Sequence, residues 1–377
     1  MSTPSIALIP SGYKEGKVYS QLPINGDGDL TFARTGTSGV PNATRVNEQG
    51  VIEDVNADVP RLDYSDGGCP SLLLEPSSTN LWVGSEGTDA TLVSPLGEFG
   101  FKNINGFTYS SNQDVVGKTV SMFFLVKKSD NSAPIIGVSN NPSSDVIVRL
   151  AGSSAVSTSF TTTDLGNGFY LAEIENYAVI GTNTSSVNIQ NSSGVDTFIS
   201  MVQLEELSYS TSYIPTLNGT IETRTQDTAS KSGLSNYINS SEGVLYAEIK
   251  AFIDDASDLN ISINDGSISN TLRIRYNTFG KIQCIFLKGG STQFTIVDSS
   301  TTITQFNKVA VSYKDNDTKL YVNGLEIGSN ILSTYSVNFS ELSLNRGGGG
   351  SSFQGKIKDL RVYTTALTDQ ELTDLTS

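Results

Sequence analysis

The sequence of 377 residues contains no histidine. Without imidazole side chains, a Ser-His-Asp or Cys-His triad, a histidine-based zinc site and a histidine general base are all excluded. Any catalysis would therefore depend on carboxylates, tyrosine or lysine. We predict no catalytic residues, no metal ligands and no cofactor for this chain.

Positive charge is also scarce, with 24 Lys and Arg against 39 Asp and Glu and a net charge of −15. Lys and Arg never run longer than a pair, so the clustered cations that bind nucleic-acid phosphates are missing. No apolar stretch approaches the roughly 18 residues that a membrane-spanning helix needs. We therefore predict neither nucleic-acid binding nor membrane insertion.

The amino terminus, MSTPSIALIPSGYK, lacks the basic start and the apolar core of a secretory signal peptide. We therefore expect synthesis and folding in a cytoplasm. Cysteine is limited to Cys69 and Cys284. Because these two residues fall in different predicted domains, two buried free thiols are favoured over a disulfide.

Serine, threonine, asparagine and glycine fill the spaces between short apolar runs, which is typical of an all-β protein rich in turns. Residues 1–80 have short strands broken by Pro and Gly, which indicates an extended arm or a small β module that needs neighbours to bury its apolar side. Residues 81–220 predict a β-sandwich or jelly roll, and KTVSMFFLVKK is apolar on both faces. Residues 221–242 are small and polar and predict a linker, and residues 243–377 return to regular strands.

Two short motifs near the C-terminus predict local structure, a hairpin and a capped helix. Asn323-Gly324 supplies the pair of positive φ angles that a type I′ hairpin requires between alternating strands. Thr368 and Glu371 are spaced as a capping box, which predicts a short helix after the last strand.

The stretch NGDGDLTFAR, Asn25 to Arg34, places Asn25, Asp27 and Asp29 at every second position, as in the start of a calcium loop. An EF-hand loop would then need Gly and Glu where Leu30 and Gly36 stand. We interpret the stretch as a glycine-rich turn that leads into a strand. An ion in this region remains an open alternative.

Hydrolysis of glycans would require two carboxyl groups roughly 5–10 Å apart. Residues 243–377 lack the Glu-x-Asp-x-(x)-Glu string of lectin-like hydrolases, since Glu248 has no Asp two residues on. Glu173 and Glu175 share a face of one predicted strand, where a solvated surface is the favoured interpretation. Hydrolysis is the weaker hypothesis.

Sugar binding would use an aromatic platform with polar side chains at a sheet face or rim. In TLRIRYNT, Leu272 and Ile274 face one way, so Arg273 and Arg275 face the other. Asn345 and Arg346 precede four glycines, which allow close backbone approach. Pairing of the arginines with acidic neighbours and a flexible glycine loop are the alternatives, and Trp82 is predicted to be core. The candidate carbohydrate-binding residues are Arg273, Arg275, Asn345 and Arg346.

The C-terminal part of the chain resembles the concanavalin A-like lectin/laminin-G jelly rolls. The resemblance is carried by VAVSYKDNDTKLYVNGLEIG and FQGKIKDLRVYTTALTDQEL, where such domains show LYVNG and a closing F-x-G-x-I string. It covers about a third of the chain and implies a fold rather than a particular ligand.

The first 80 residues, with DLTFAR, DVPRLDYSDGGCPSLLLEPSSTNL and the later TSYIPT, resemble the N-terminal region of bacteriophage fibre and appendage proteins. That resemblance implies an attachment arm, a carbohydrate-binding-module (CBM)-like β-sandwich and a lectin-like jelly roll. It also implies a homotrimer in the virion that contacts other virion proteins through its N-terminal arm. The sequence contains no coiled-coil heptads that would indicate trimerisation.

We therefore predict an all-β protein with an arm at residues 1–80, a CBM-like sandwich at 81–220, a linker at 221–242 and a jelly roll at 243–377. The predicted function is that of a structural phage protein, a tail or head fibre, made in the host cytoplasm and contacting host-surface glycan. A carboxylate-dependent polysaccharide depolymerase and a secreted carbohydrate-binding adhesin are the alternatives.

Overall fold

A computed structural model describes residues 2–36, 41–106, 108–137, 144–154, 160–184, 187–217, 219–254 and 257–377. The chain divides into two compact units. Unit 1 consists of Met1–Thr35, Ala57–Pro76 and Gln226–Ser377. Unit 2 consists of Gly36–Asn56 and Ser77–Thr225.

The described residues are almost entirely β-structure. The first strands are β1 Ile6–Leu8, β2 Tyr13–Lys14, β3 Lys17–Val18, β4 Leu30–Ala33, β5 Pro41–Val46, β6 Ile52–Asn56, β7 Arg61–Asp63, β8 Ser71–Leu74, β9 Ser78–Asn80, β10 Ala90–Ser94, β11 Gly97–Asn103 and β12 Thr108–Ser111. The next are β13 Thr119–Lys128, β14 Val146–Leu150, β15 Ser153–Ser154, β16 Thr161–Gly166, β17 Phe169–Ala178, β18 Val187–Asn191, β19 Thr197–Glu205 and β20 Glu222–Arg224. The last are β21 Thr228–Ser232, β22 Glu242–Lys250, β23 Leu259–Asn264, β24 Thr271–Tyr276, β25 Ile282–Lys288, β26 Ser291–Asp298, β27 Asn307–Lys314, β28 Thr318–Val322, β29 Leu325–Asn330, β30 Glu341–Ser343 and β31 Gly355–Tyr363, followed by α1 Asp369–Thr376.

Unit 1 is a sandwich of two antiparallel sheets. One sheet has the order β29-β28-β27-β22-β31-β8-β7, with β1 paired to β31, and the other has the order β2-β3-β4-β21-β30-β23-β24-β25-β26. Alternate residues of both sheets form a single apolar core, in which β23 supplies Ile261 and Ile263 and β27 supplies Val309 and Val311. Period-two alternation of apolar and polar residues in these strands produces this arrangement.

Unit 2 contains a six-stranded sheet, β10-β11-β19-β13-β17-β16, and a four-stranded sheet, β12-β18-β14-β15. Two short ladders, β5-β6 and β9-β20, complete the unit. Strand β13 is apolar on both faces, as predicted: Met122 and Phe124 lie in one hydrophobic cluster, and Phe123 and Leu125 lie in another. The all-β prediction with sandwich sheets is confirmed.

The units differ from the predicted domain boundaries. Residues 1–80 do not form a separate arm, because β1 pairs with β31 and β4 pairs with β21 inside unit 1. The predicted linker at 221–242 holds β20 and β21, and Leu234 and Ile238 lie in the core of unit 1. Small polar residues suit β21 because it is hydrogen-bonded on both sides, to β4 and β30, and backbone pairing does not depend on side-chain type.

The local predictions near the C-terminus are confirmed. Asn323 and Gly324 both have positive φ, 48° and 83°, at the turn between β28 and β29. Helix α1 begins after Thr368 with both hydrogen bonds of the capping box to Glu371. Both cysteines are free thiols, as predicted, and Cys284 is buried. Cys69 is exposed, and both residues lie in unit 1, so the predictions of its burial and of separate domains are wrong.

Candidate functional site

A polar surface covers part of the nine-stranded sheet of unit 1, on the face opposite the core. Strands β23 and β24, with the sequences LNISIN and TLRIRY, alternate strictly, so that Ile261 and Ile274 enter the core. The residues between them face away from the core. We call this surface the arginine face and define it as Asp258, Asn260, Ser262, Arg273, Arg275, Gln283 and Arg346.

Strand register brings five of these side chains into two rows. Asn260 stands opposite Arg275, which stands opposite Gln283 on β25. Ser262 stands opposite Arg273 in the next row. Directly opposed side chains on antiparallel strands lie about 4.5–5.5 Å apart at Cβ, close enough for one small ligand to meet several of them.

The loop between β30 and β31 runs over the edge of this surface. The Ser262 hydroxyl donates to the Asn345 carbonyl oxygen at 2.8 Å, and the Asn260 amide donates to the Ser351 carbonyl oxygen at 3.2 Å. Asn345 uses its side-chain oxygen within the loop, where Gly347 N donates to it at 2.7 Å. A Cβ atom on Gly347 would lie 2.6 Å from the Ser267 carbonyl oxygen at a φ of 89°, so this close approach requires glycine.

Three guanidinium groups meet on the arginine face. Arg273 is 6% exposed and donates to the Thr271 hydroxyl at 3.3 Å and the Ile268 carbonyl oxygen at 3.2 Å. Burial lowers the pKa of Arg273 to about 10; the charge of Asp258 opposes this effect, and the charges of Arg275 and Arg346 add to it.

Asp258 is the carboxylate partner of these arginines, with its Oδ1 3.5 Å from Arg275 Nη1. That separation makes an ion pair but is too long for a good hydrogen bond. The alternative that both strand arginines pair with acidic neighbours therefore holds for Arg275, through Asp258. For Arg273 the structure gives neutral partners, the Thr271 hydroxyl and the Ile268 carbonyl oxygen.

Several polar atoms of the arginine face are buried and have no hydrogen-bond partner among the described residues. They are Asp258 Oδ1, Asn260 Oδ1, Arg275 Nε, Gln283 Oε1 and Arg346 Nε. The side chains of Asn260 and Gln283 belong to residues that are 0% and 7% exposed. A buried polar group without a partner costs about 1–3 kcal/mol, so a concentration of such atoms in one place needs an explanation.

Apolar side chains lie at the margins of the same surface. Phe279, which is 79% exposed, lies in the turn that joins β24 to β25, at the strand ends that carry Arg275 and Gln283. Val297 on β26 stands opposite Gln283 and is half-exposed. Sugar sites combine an exposed ring with polar donors and acceptors, and Phe279 lies four residues along the chain from both Arg275 and Gln283.

The structure brings together three of the four predicted binding residues: Arg273, Arg275 and Arg346. The fourth, Asn345, contributes backbone and loop contacts instead. That these residues bind sugar stays a prediction. Sequence reasoning missed Asp258, Asn260 and Gln283. The alternation in LNISIN and KIQCIFL could have indicated the last two, because both lie between core-facing residues.

The other candidate sites have structural partners. In NGDGDLTFAR, Asp29 forms an ion pair with Lys17 at 3.2 Å and accepts from Ser20 N at 2.8 Å, and Leu30–Ala33 is a strand as predicted. Among the described residues, no group of three or more metal-ligating side chains comes together. Trp82 is buried, as predicted, with its ring edge-on to Tyr109 at 5.1 Å between centroids.

The carboxylate pair of unit 2 lies on β17. Burial raises the pKa of Glu173, and the charge of Glu175 raises it further. Glu175 is exposed and accepts a hydrogen bond from Ser210 N at 3.0 Å. Glu175 therefore fits the solvated strand face that the sequence indicated, whereas Glu173 on the same strand is partly buried.

Residues 236–373 match the family model described as the concanavalin A-like lectin/glucanases superfamily, so this part of the chain is a domain of that type. No curated protein is similar enough in sequence to match the chain. Within the described residues, no helix is both long enough and apolar enough to cross a membrane.

Solved structures similar to parts of the chain are β-proteins of low identity. One is the CBM40 of a Ruminococcus gnavus IT-sialidase, bound to α2,3-sialyllactose, with 18% identity, a TM-score of 0.32 and coverage of 36% of this chain and 83% of that one. Another is domain 4 of a Geobacillus stearothermophilus extracellular arabinanase in complex with arabinotriose, with 18% identity, a TM-score of 0.34 and coverage of 40% and 73%. A third is the SAP-like pentraxin of Limulus polyphemus, with 18% identity, a TM-score of 0.30 and coverage of 36% and 70%.

Proposed function

We propose that the protein is a non-enzymatic glycan-binding component of a bacteriophage fibre or related appendage, and that it binds glycan through the arginine face. One observation carries the binding part of the proposal. Buried donors and acceptors that have no partner in the described part of the chain, Arg275 Nε and Gln283 Oε1 among them, are concentrated on one face of a lectin-type domain.

Sugars suit such a surface because every hydroxyl group can both donate and accept a hydrogen bond. The amide oxygens of Asn260 and Gln283 require donors, and the arginine groups require acceptors. A polyol satisfies both needs at once. Phe279, at the end of the same strands, offers a ring against which an apolar sugar face can pack.

The absence of enzymatic activity is part of the proposal. Asp258 is engaged by Arg275, and Glu341, on the neighbouring strand β30, accepts from the Ser343 hydroxyl. Burial raises the pKa of Asp265, but hydrogen bonds from Ser267 and Asn270 outweigh this effect, and the net pKa lies below its usual value. A carboxyl group that acts as a general acid needs the opposite shift.

The virion part of the proposal rests on the similarity of the N-terminal strings to phage fibre proteins. We propose a homotrimer, attached to other virion proteins through the N-terminal part of the chain and made in the host cytoplasm. Weak single-site binding would then be multiplied by several copies on one particle.

The binding proposal predicts that the full-length chain binds at least one glycan on an array of host-surface polysaccharides and oligosaccharides. The affinity for that glycan, measured by titration calorimetry, should fall about tenfold in Gln283→Ala, equivalent to about 1.4 kcal/mol. Gln283 supplies a buried acceptor on the arginine face, whereas Gln293, on the adjacent strand β26, is exposed.

Gln293→Ala is therefore the matched control and should bind like the unmodified chain. The proposal would be overturned if the chain bound no glycan on the array. Equal affinities of the two variants for the bound glycan would overturn it too, because the arginine face would then not be the binding surface.

A further inference from the structure

The arginine face combines three guanidinium groups within a chain whose net charge is −15. Arg273 and Arg275 point the same way from β24, and Arg346 approaches from the loop after β30. Among the described residues, the Asp258 carboxylate forms an ion pair with Arg275, and its charge also acts on Arg273. The cluster therefore keeps an excess of positive charge on an otherwise acidic molecule.

From this arrangement we infer that the arginine face recognises glycans that carry a carboxylate, such as those with uronic or ulosonic acid residues. The inference rests on the proposed glycan binding and narrows its ligand class. A carboxylate accepts two parallel, charge-assisted hydrogen bonds from one guanidinium, whereas the hydroxyl groups of a neutral sugar offer no charge to strengthen such a pair.

Electrostatics supports the same ligand class. The charges of Arg275 and Arg346 lower the pKa of the buried Arg273, which means that the three cations repel one another. An anion bound between them would remove that repulsion. A neutral ligand would leave it in place and would also desolvate the guanidinium groups further.

The unpartnered atoms indicate a sugar acid rather than a simple inorganic anion. Arg275 Nε and Arg346 Nε are donors, whereas Asn260 Oδ1 and Gln283 Oε1 are acceptors. Sulfate offers acceptors only, so it would leave both amide oxygens without partners. A sugar acid brings a carboxylate for the donors and hydroxyl groups for the acceptors.

The other carboxylates described near these strands accept hydrogen bonds from neutral side chains rather than from the arginines of the face. Asp265, in the turn between β23 and β24, accepts from the Ser267 hydroxyl and from the Asn270 amide, both at 2.6 Å. Glu341 accepts from Ser343. Asp258 alone forms an ion pair with an arginine of the face among the described residues.

The test is calorimetric titration of the full-length chain with two acid and neutral pairs. The pairs are 3′-sialyllactose with lactose, and trigalacturonic acid with its carboxyl-reduced counterpart. In at least one pair, the acid should bind at least tenfold more tightly than its neutral partner, and this preference should shrink at high NaCl because salt screens the charges.

Arg275→Gln should abolish the preference for the acid, and Arg275→Lys should retain only part of it, because lysine keeps the charge without the planar fork. Lys14→Gln, which removes one exposed positive charge from β2, should leave the preference unchanged. Circular dichroism and thermal denaturation would establish that each variant is folded.

Each outcome separates the inference from the proposed function. Neutral members bound as tightly as acids, with affinity lost in Gln283→Ala, would overturn the carboxylate preference but keep the glycan site. Inorganic sulfate bound as tightly as the acidic sugars would overturn it as well, because the face would be a general anion site. If the chain bound no member of the two pairs and no glycan on the array, both the carboxylate preference and the proposed glycan binding would be overturned.

Discussion

Four charged side chains, Arg34, Arg61, Glu75 and Asp227, lie together in the interior of unit 1. Asp227 accepts from Arg34 at 3.1 Å and from Glu75 N at 2.8 Å, and Arg61 contacts both carboxylates. Burial lowers the pKa of Arg61, but the charges of Asp227 and Glu75 outweigh burial, and the net pKa is raised. The four residues therefore form an ionic network whose members depend on one another.

This network predicts a large cost for removing one charge. In Asp227→Asn, both buried arginines lose a carboxylate partner, and we expect unit 1 to lose about 3–5 kcal/mol of its free energy of unfolding. Urea denaturation followed by circular dichroism and tyrosine fluorescence would measure the loss, because the single tryptophan, Trp82, lies in unit 2, and Asp317→Asn in an exposed turn is the control. A loss below about 1 kcal/mol would show that the network is not coupled in this way.

Sequence reasoning could not find this network. Arg34, Arg61 and Glu75 lie within the predicted arm, in the strings DLTFAR, DVPRLDY and LLLE that carry the resemblance to phage fibres. Arginines and carboxylates are usually exposed, and nothing local signals that residues so far apart as 34 and 227 will meet. The structure shows that these residues build the interior of unit 1.

At the scale of elements, helix α1 is short and depends on its N-terminal cap. The Thr368 hydroxyl accepts from Glu371 N at 3.3 Å, and Thr368 N donates to the Glu371 carboxylate at 3.0 Å. Leu372 and Leu375 of the helix pack with Tyr246 and Tyr321 of the eight-stranded sheet. A helix of eight residues is too short to be stable alone, so capping and packing together maintain it.

The cap predicts a moderate and local effect of substitution. Thr368→Ala removes the hydroxyl that satisfies Glu371 N, and we expect a loss of about 1 kcal/mol of the free energy of unfolding of unit 1. Gln370→Ala, on the exposed side of the same helix, should change it by less than about 0.5 kcal/mol. Equal losses in the two variants, measured by urea denaturation, would contradict a specific capping role.

The strands of the arginine face show which structural features the alternation of apolar and polar residues can predict. Alternation in TLRIRY was enough to place Arg273 and Arg275 on the face opposite Leu272 and Ile274. It could not show that Gln283 stands beside Arg275, because strand pairing and register are long-range properties. Nor could it place Arg346, which reaches the face through a loop.

At the scale of the whole molecule, the chain enters unit 1 three times and unit 2 twice. Removing residues 1–80 would therefore remove strands β1 to β4, β7 and β8 from the sheets of unit 1. Experiments on this protein need the full chain for that reason, including those that address its assembly.

The proposed trimer predicts a mass in solution of about three times the 40.2 kDa of one chain. Light scattering coupled to size-exclusion chromatography would measure this mass at several concentrations. A monomer at every concentration would remove the trimeric fibre from the proposal. The glycan-binding proposal would stand, because the arginine face belongs to one chain.

The sequence by itself determined the all-β class, the sandwich strands, the hairpin at Asn323-Gly324 and the cap at Thr368, because each follows from neighbours along the chain. Only the tertiary structure decided the composition of the units, the ionic network around Asp227 and the composition of the arginine face. These features depend on which distant strands pair and in which register. That choice is made by burial of the whole core, which no local pattern contains.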